Sequence, residues 1–181
     1  KGLKIMRRGR GFTIIELMIT LVVLGFLAAL AVPSFSQMIA RNNLSAASND
    51  LVVALLTARS EAVKRECQVT VTSGSWADGW TSNVLSNISG CTAQQIVSHE
   101  VSSNNLTVTT AGNIGNTVTF DPEGRAIGLA GANSDFFTLT VDDSDPSTVN
   151  PTKVVCLTLF GRPYVPDTPP YPFVQSGANC T

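Results

Sequence analysis

Residues 11–33 read GFTIIELMITLVVLGFLAALAVP, and this stretch decides the fold. From Phe12 to Val32 it holds one ionisable side chain, Glu16. With Phe12 and Thr13, the apolar run at residues 14–32 is long enough to cross a bilayer as a helix, which takes about 20 residues. It is too long for the apolar region of a secretory signal, and no small-residue cleavage site follows it. Lys1, Lys4, Arg7, Arg8 and Arg10 precede it, so five of the twelve basic residues fall in the first ten positions. Positive charge stays on the cytoplasmic side, which predicts a cytoplasmic N-terminus and export of everything after Pro33.

Glu16 does not fit a plain anchor. An acidic side chain at mid-membrane costs about 2.5–3.5 kcal/mol on insertion scales, so such residues usually have a partner. One reading is a carboxylate reaching the cytoplasmic headgroups. The other is a carboxylate paired with the terminal amine of a chain that has been cut just upstream.

Past Pro33 the helical period continues. Leu44, Ala47, Leu51, Ala54, Leu55, Ala58 and Ala62 recur at helical spacing. Asn42, Asn43, Asn49, Asp50, Arg59, Lys64 and Arg65 fall largely between them. This amphipathic half should lay its apolar stripe on a sheet. Pro33 removes one backbone hydrogen bond and is expected to kink the helix. After Cys67 the period changes to two. Strands are predicted at Cys67–Thr72, Gln95–Val101, Leu106–Thr110, Thr117–Phe120, Phe136–Val141 and Val154–Phe160, punctuated by Gly, Asn, Ser and Pro. Asp142–Pro151 reads as a polar connection, and Pro163–Pro172 as extended and irregular. The fold class is α+β: a long N-terminal membrane-spanning helix packed on an antiparallel β-sheet head.

Charge and cysteine usage narrow the function. Charged residues are 14% of the 181 residues, and the net charge of −1 hides an asymmetry. From Cys67 onward, Arg125, Lys153 and Arg162 face nine acidic residues, a net of −6. A nucleic-acid binder normally carries a basic patch on its folded domain. Cys67, Cys91, Cys156 and Cys180 form no C-x-x-C, and His99 is the sole histidine, so no zinc set is spaced. An even number in an exported head points to disulfides. Of three connectivities, Cys67–Cys91 with Cys156–Cys180 is preferred because each pair encloses one local segment; free buried thiols are the alternative.

Gly11-Phe12-Thr13-Ile14-Ile15-Glu16-Leu17, behind its basic leader, resembles the prepilin cleavage motif. The resemblance implies residues 1–11 as a cleaved leader, 12–33 as a transmembrane and assembly helix, 34–66 as the amphipathic half, and 67–181 as the β-rich head. A prepilin peptidase would cut between Gly11 and Phe12 and methylate the new amine of Phe12. Glu16 would engage a neighbouring subunit, and Pro33 falls where pilins often carry a helix-loosening proline. Met6, within the leader, offers an alternative translation start. In the head, Asn49-Asp50-Leu51, Ala58 to Arg65, Gly79-Trp80, Phe120-Asp121-Pro122-Glu123-Gly124-Arg125 and Gly161-Arg162 resemble the GspH/FimT family of minor pilins and pseudopilins. The implied function is a minor type IV pilin of FimU or FimT type, an assembly component priming the pilus and lying at or near its tip. The alternatives are a minor pseudopilin of type II secretion and a DNA-binding pilin of natural transformation. Implied partners are other minor and major pilins or pseudopilins, the prepilin peptidase and inner-membrane lipid. The implied location is the bacterial inner membrane, single-pass, with the head periplasmic, then the pilus or pseudopilus.

Enzymatic sites find no support. His99 offers one base with no triad, and no glycine pattern forms a phosphate cradle. Asp142, Asp143 and Asp145 lack the spacing of a calcium loop and read as a solvated turn. Trp76 and Trp80 read as core or rim packing. No cofactor and no metal are expected. DNA-binding relatives in the family carry G-R-x-R where this chain has Gly161-Arg162-Pro163-Tyr164. With the second arginine missing, Arg162 is left as a weak DNA contact at most.

Overall fold

The computed structural model describes residues 11–86, 88–101, 105–129, 135–142, 150–166 and 180; of residues 29–34 and 36 the side chains are not described. The chain divides into two compact units, residues 1–38 and 39–181. One helix, α1 (Ile14–Arg65), provides most of the first unit and opens the second. Position 33 lies inside α1, and the Pro33 side chain is outside the described set, as are the leader residues 1–10. Among the described residues no helix is long and apolar enough to cross a membrane. The side chains of the expected 12–33 span are described only as far as Ala28 before the gap, so that expectation lies partly outside the described residues.

In the first unit the apolar side chains of α1 are uncovered. From Ile14 to Leu27 the large ones are 52–81% exposed. In the second unit the helix behaves as its pattern predicts. Ala40, Leu44, Ala47, Leu51, Ala54, Leu55, Ala58 and Ala62 are buried and share one core with the strands. Ser48, at 0% exposure, also faces inward, its Oγ donating to the carbonyl of Ser45 at 3.0 Å. That bond removes the cost of burying a hydroxyl.

Among the described residues nine strands follow: β1 (Val69–Thr72), β2 (Gly79–Val84), β3 (Gln94–Glu100), β4 (Leu106–Ala111), β5 (Thr117–Phe120), β6 (Ala126–Ile127), β7 (Phe136–Val141), β8 (Thr152–Leu157) and β9 (Pro163–Tyr164). They form two antiparallel sheets, in the orders β3-β2-β1-β5-β6 and β4-β7-β8-β9. Strand β1 is central in its sheet and buried on both faces at Val69, Thr70 and Val71. Thr70 and Thr119 pair through their hydroxyls at 3.0 Å, which satisfies the polar residue on that face. Strand β7 alternates, with Phe137, Leu139 and Val141 inward. Phe120, Phe137, Leu51 and Leu55 are among the largest fully buried side chains, each contributing about 1.5–3 kcal/mol of burial.

Three expectations need correction. Strand β2 was not expected: Ser82 occupies an inward position between Trp80 and Val84, so the alternation is hidden by a polar core residue. The last long strand starts at Thr152 and ends at Leu157, because residues 158–161 close a turn. Pro163 and Tyr164, expected as irregular, pair with β8 as an edge strand, where a proline lacking an N–H is tolerated. Asp143, Asp145 and most of the 142–151 connection lie outside the described residues.

Candidate functional site

Thr13 starts α1. Its carbonyl accepts from Leu17 N at 3.2 Å, and its Oγ1 accepts from Glu16 N at 3.2 Å. The hydroxyl cap satisfies an N–H that the helix itself leaves free, and Thr13-x-x-Glu16 is the capping-box spacing. Glu16 therefore sits in the first turn, where the helix dipole favours a negative charge. The Thr13 cap is a local reason for an acid at this position. Gly11 and Phe12 precede the helix, and Phe12 is 81% exposed.

The four cysteines form two bridges, Cys67–Cys91 and Cys156–Cys180, each spanning 24 positions. A loop of that length is worth about 3.5 kcal/mol in the chain-entropy account. The first bridge is set by the end of α1. Glu66 takes φ 53°, Glu66 N donates to Val63 O at 3.4 Å and Cys67 N to Ala62 O at 3.2 Å. This is the Schellman geometry, with a glutamate in the left-handed position that glycine usually fills. It turns the chain so that Cys67 lies buried under the helix end and holds the loop bearing Cys91. Arg65 Nη1 donates to Gln94 Oε1 at 2.9 Å from the same corner. The second bridge ties the C-terminal end to β8, and Tyr164 Oη donates to Cys180 O at 2.6 Å.

The segments Phe120–Arg125 and Gly161–Arg162 form a matched pair of turns. In the first, Gly124 N donates to Asp121 O at 2.9 Å, Asp121 N to Arg125 O at 2.9 Å, and Arg125 N to Asp121 Oδ1 at 2.7 Å. In the second, Gly161 N donates to Thr158 O at 2.8 Å, Thr158 N to Arg162 O at 3.2 Å, and Arg162 N to Thr158 Oγ1 at 3.1 Å. Each is a hairpin turn whose fourth residue is a left-handed glycine, at φ 77° and 70°. The turns touch: Ala126 N donates to Leu159 O at 3.2 Å, and a β-carbon on Gly161 would overlap Gly124 O. Arg59 of α1 donates from Nε to that same oxygen at 2.8 Å. Helix and both sheets are thus fastened at one corner, which explains why these separate sequence segments belong together.

Arg125 and Arg162 stand on these adjacent turns with unequal surroundings. Arg125 is paired with Asp121 at 3.0 Å and reaches Glu123 at 3.9 Å. Arg162 is exposed and has no ion pair among the described residues. His99, on β3, is half-buried. It stacks on Trp80 with centroids 4.8 Å apart, and its Nε2 is 3.6 Å from Asp50 Oδ2 on α1. Trp76 packs edge-on against Phe137 at 4.9 Å and donates to Gly115 O at 2.9 Å, linking the two sheets. No group of His, Cys, Asp and Glu that could hold a metal ion occurs among the described residues.

The profile of the family described as "Type II transport protein GspH" matches residues 47–159. The profile of the "Prokaryotic N-terminal methylation motif" matches residues 6–32. The chain is 50% identical over 52 residues to the type IV major pilin protein PilA of Myxococcus xanthus (strain DK1622), 29% of this chain and 23% of that protein. It is 33% identical over 100 residues to a fimbrial protein of Pseudomonas aeruginosa, 52% of this chain and 64% of that one. In each case it spans less than two thirds of the relative. The crystal structure of the type IV minor pilin FimU of Pseudomonas aeruginosa PAO1 superposes with a TM-score of 0.53 at 22% identity, covering 70% of this chain and 90% of that chain. At that identity the likeness is one of fold: an N-terminal helix followed by an antiparallel head. With the GspH profile covering well over half of its length behind an N-terminal methylation motif, the chain belongs to the GspH family of pilin-like proteins, of the GspH/FimT type.

Proposed function

We propose that the chain is a minor type IV pilin that primes pilus assembly and lies at or near the tip. On this reading the leader is cut between Gly11 and Phe12, the Phe12 amine is methylated, and the helix at 12–33 anchors the subunit in the inner membrane before assembly. The observation that carries the reading is the uncovered helix of the first unit, with large apolar side chains 52–81% exposed from Ile14 to Leu27. A helix apolar on all sides is stable only inside lipid or among other helices. The same surface therefore serves both states, membrane before assembly and neighbouring subunits after it. Glu16, the one ionisable side chain of this stretch, gives the assembled state a charged contact that lipid does not supply. Two disulfides in the head fit an oxidising, periplasmic location. Pro33 within α1 is the expected point of bending.

The experiment is fractionation of sheared pili with mass spectrometry of the subunit. The expected result is an N-terminus at methylated Phe12 and presence in the filament fraction. Glu16→Ala should insert in the membrane at least as well and be lost from filaments. An intact leader in cells with active prepilin peptidase would falsify the processing step.

A second reading, a minor pseudopilin of type II secretion, is favoured by the description of the matching family profile. Loss of exported enzymes with intact piliation in a deletion strain would select it.

A further inference from the structure

The run of exposed apolar side chains along α1 stops at Ile39. Phe35, Met38 and Ile39 are 63%, 59% and 58% exposed, and the next large apolar side chain as open is Val53. Just past Ile39 the exposed residues are Arg41, Asn42 and Asn43, while Ala40 and Leu44 enter the core of the second unit. The Arg41 guanidinium has no ion pair among the described residues. Its carbonyl accepts from Ser45 Oγ at 2.9 Å, a bond that leaves the side chain uncommitted. The sequence sets the depth of this polarity boundary. Residues 17–40 hold no ionisable side chain, so Glu16 and Arg41 bracket 24 uncharged positions. As helix these rise about 36 Å. A bilayer has a hydrocarbon core of about 30 Å and measures about 40–45 Å with its headgroups. An interval of about 36 Å leaves the two charges in opposite headgroup layers and neither in hydrocarbon, where a charge is costly. With Glu16 on the cytoplasmic side, Arg41 stands at the depth of the periplasmic phosphates.

Resting on the membrane anchor of the reading above, we propose that Arg41 binds the phosphate of a phospholipid in the periplasmic leaflet and fixes how deep the unassembled subunit sits. Charge and shape select this ligand. A guanidinium takes phosphate through two parallel N–H donors. Arg41 is the one basic residue between positions 11 and 58, so it alone brings positive charge to this surface. The head beyond it is −6 from Cys67 onward and is itself repelled by anionic lipid. A phosphate lies at that depth whenever the helix is in a bilayer, before any filament partner is present. Ile39, two positions nearer the apolar stretch, then marks the edge of the lipid-covered surface.

The test puts one added thiol, Ile39→Cys, into the full processed chain, whose four native cysteines are bridged. The protein is reconstituted in vesicles of phosphatidylglycerol and phosphatidylcholine. A membrane-impermeant maleimide added outside reports, on the head-outward fraction, how often position 39 reaches water. Labelling should be slow with Arg41 present. Arg41→Ala should speed it about fivefold, the worth of one arginine at a lipid surface. Arg41→Lys, which keeps the charge, should speed it less. In vesicles of phosphate-free digalactosyldiacylglycerol, Arg41→Ala should make no difference. Equal rates with and without Arg41 in phospholipid, or an Arg41 effect that persists in the glycolipid, would overturn the proposal. So would protection reproduced by inorganic phosphate on the detergent-solubilised chain, since the ligand would then be a free anion. If the chain integrates in the vesicles and Arg41 has no effect, only this contact is wrong. If it does not integrate, the membrane-anchored reading itself falls.

Discussion

Gly161 lies so close to the carbonyl oxygen of Gly124 that a β-carbon at 161 would overlap it, and the Phe120 ring closes the other side at 3.2 Å. Both neighbours are held, one as backbone and one as a fully buried side chain, so neither can retreat. Gly161→Ala combines a left-handed backbone, about 1–2 kcal/mol, with an overlap in packed surroundings. The expected loss is about 3 kcal/mol, read as a lower urea midpoint with an unchanged slope. Gly124→Ala meets instead side chains, Val63 Cγ2 at 2.9 Å and Arg59 Nε at 3.2 Å, rather than fixed backbone, so its cost should be the smaller, about 2 kcal/mol. Equal losses at the two positions would mean that the close approach of the turns is not what matters.

Glu66 occupies the left-handed cap of α1 at φ 53°, the sole non-glycine residue with positive φ among the described residues. Its strain is accepted because the two capping hydrogen bonds and the Cys67–Cys91 bridge fix the turn around it. Glu66→Gly should raise stability by about 1 kcal/mol, while Glu66→Ala should leave it nearly unchanged. Thermal melts of the two variants beside the parent decide it; destabilisation by glycine would show that the glutamate side chain is needed at this corner.

Much of the fold was legible because burial follows period. The helix positions from Leu44 to Ala62 chosen by spacing are the buried ones, and five of the expected strands fall where expected within a residue or two. What stayed hidden has physical reasons. Strand β2 buries Ser82, so a polar residue breaks its apolar alternation. Strands β6 and β9 have two residues each, too short for any period. The disulfide pairing followed from the local segments each bridge encloses, and both bridges are as expected. The junction of Arg59, Gly124 and Gly161 was legible only as separate family-like segments, since their meeting point depends on how two sheets approach each other. The Thr13–Glu16 capping-box spacing lies inside an apolar run, where the membrane cost of the acid masks its local role as a helix start.

The Glu61 carboxylate accepts from Arg65 Nε at 2.6 Å and lies 3.5 Å from Lys64 Nζ. The Arg65 hydrogen bond holds its pKa below the ordinary value of 4.5. A carboxyl depressed in the folded state stabilises above the unfolded pKa, and that contribution is lost as pH falls below 4.5 through the folded value. The stability difference between parent and Glu61→Gln should be constant from neutral pH down to the carboxylate range and shrink on further acidification. Because Arg65 also donates to Gln94, loosening of this pair should reach the loop bearing Cys91. Urea titrations of both proteins across that window test it; a difference that grows as pH falls would reverse the sign of the argument.

Double-stranded DNA should bind the purified full chain, processed and in detergent, only weakly at physiological salt. Arg125 and Arg162 stand on two turns that touch through the Ala126–Leu159 bond, and are the arginines a patch there would use. One of them is already spent: Asp121 takes the Arg125 guanidinium at 3.0 Å, and Glu123 lies 3.9 Å from it. Acidic groups so near fall within the screening length of about 8–10 Å and oppose a phosphate at the same place. What remains is Arg162, with Tyr164 where the DNA-binding relatives carry a second arginine. One or two phosphate contacts release one or two counterions, which gives a shallow salt dependence and little affinity. A mobility-shift titration should therefore find no submicromolar complex, and Arg162→Ala should change nothing. Asp121→Asn, which leaves the turn hydrogen bonds but frees Arg125, should strengthen binding if local charge is the limiting factor. Submicromolar binding by the parent that collapses in Arg162→Ala would place the protein in DNA capture.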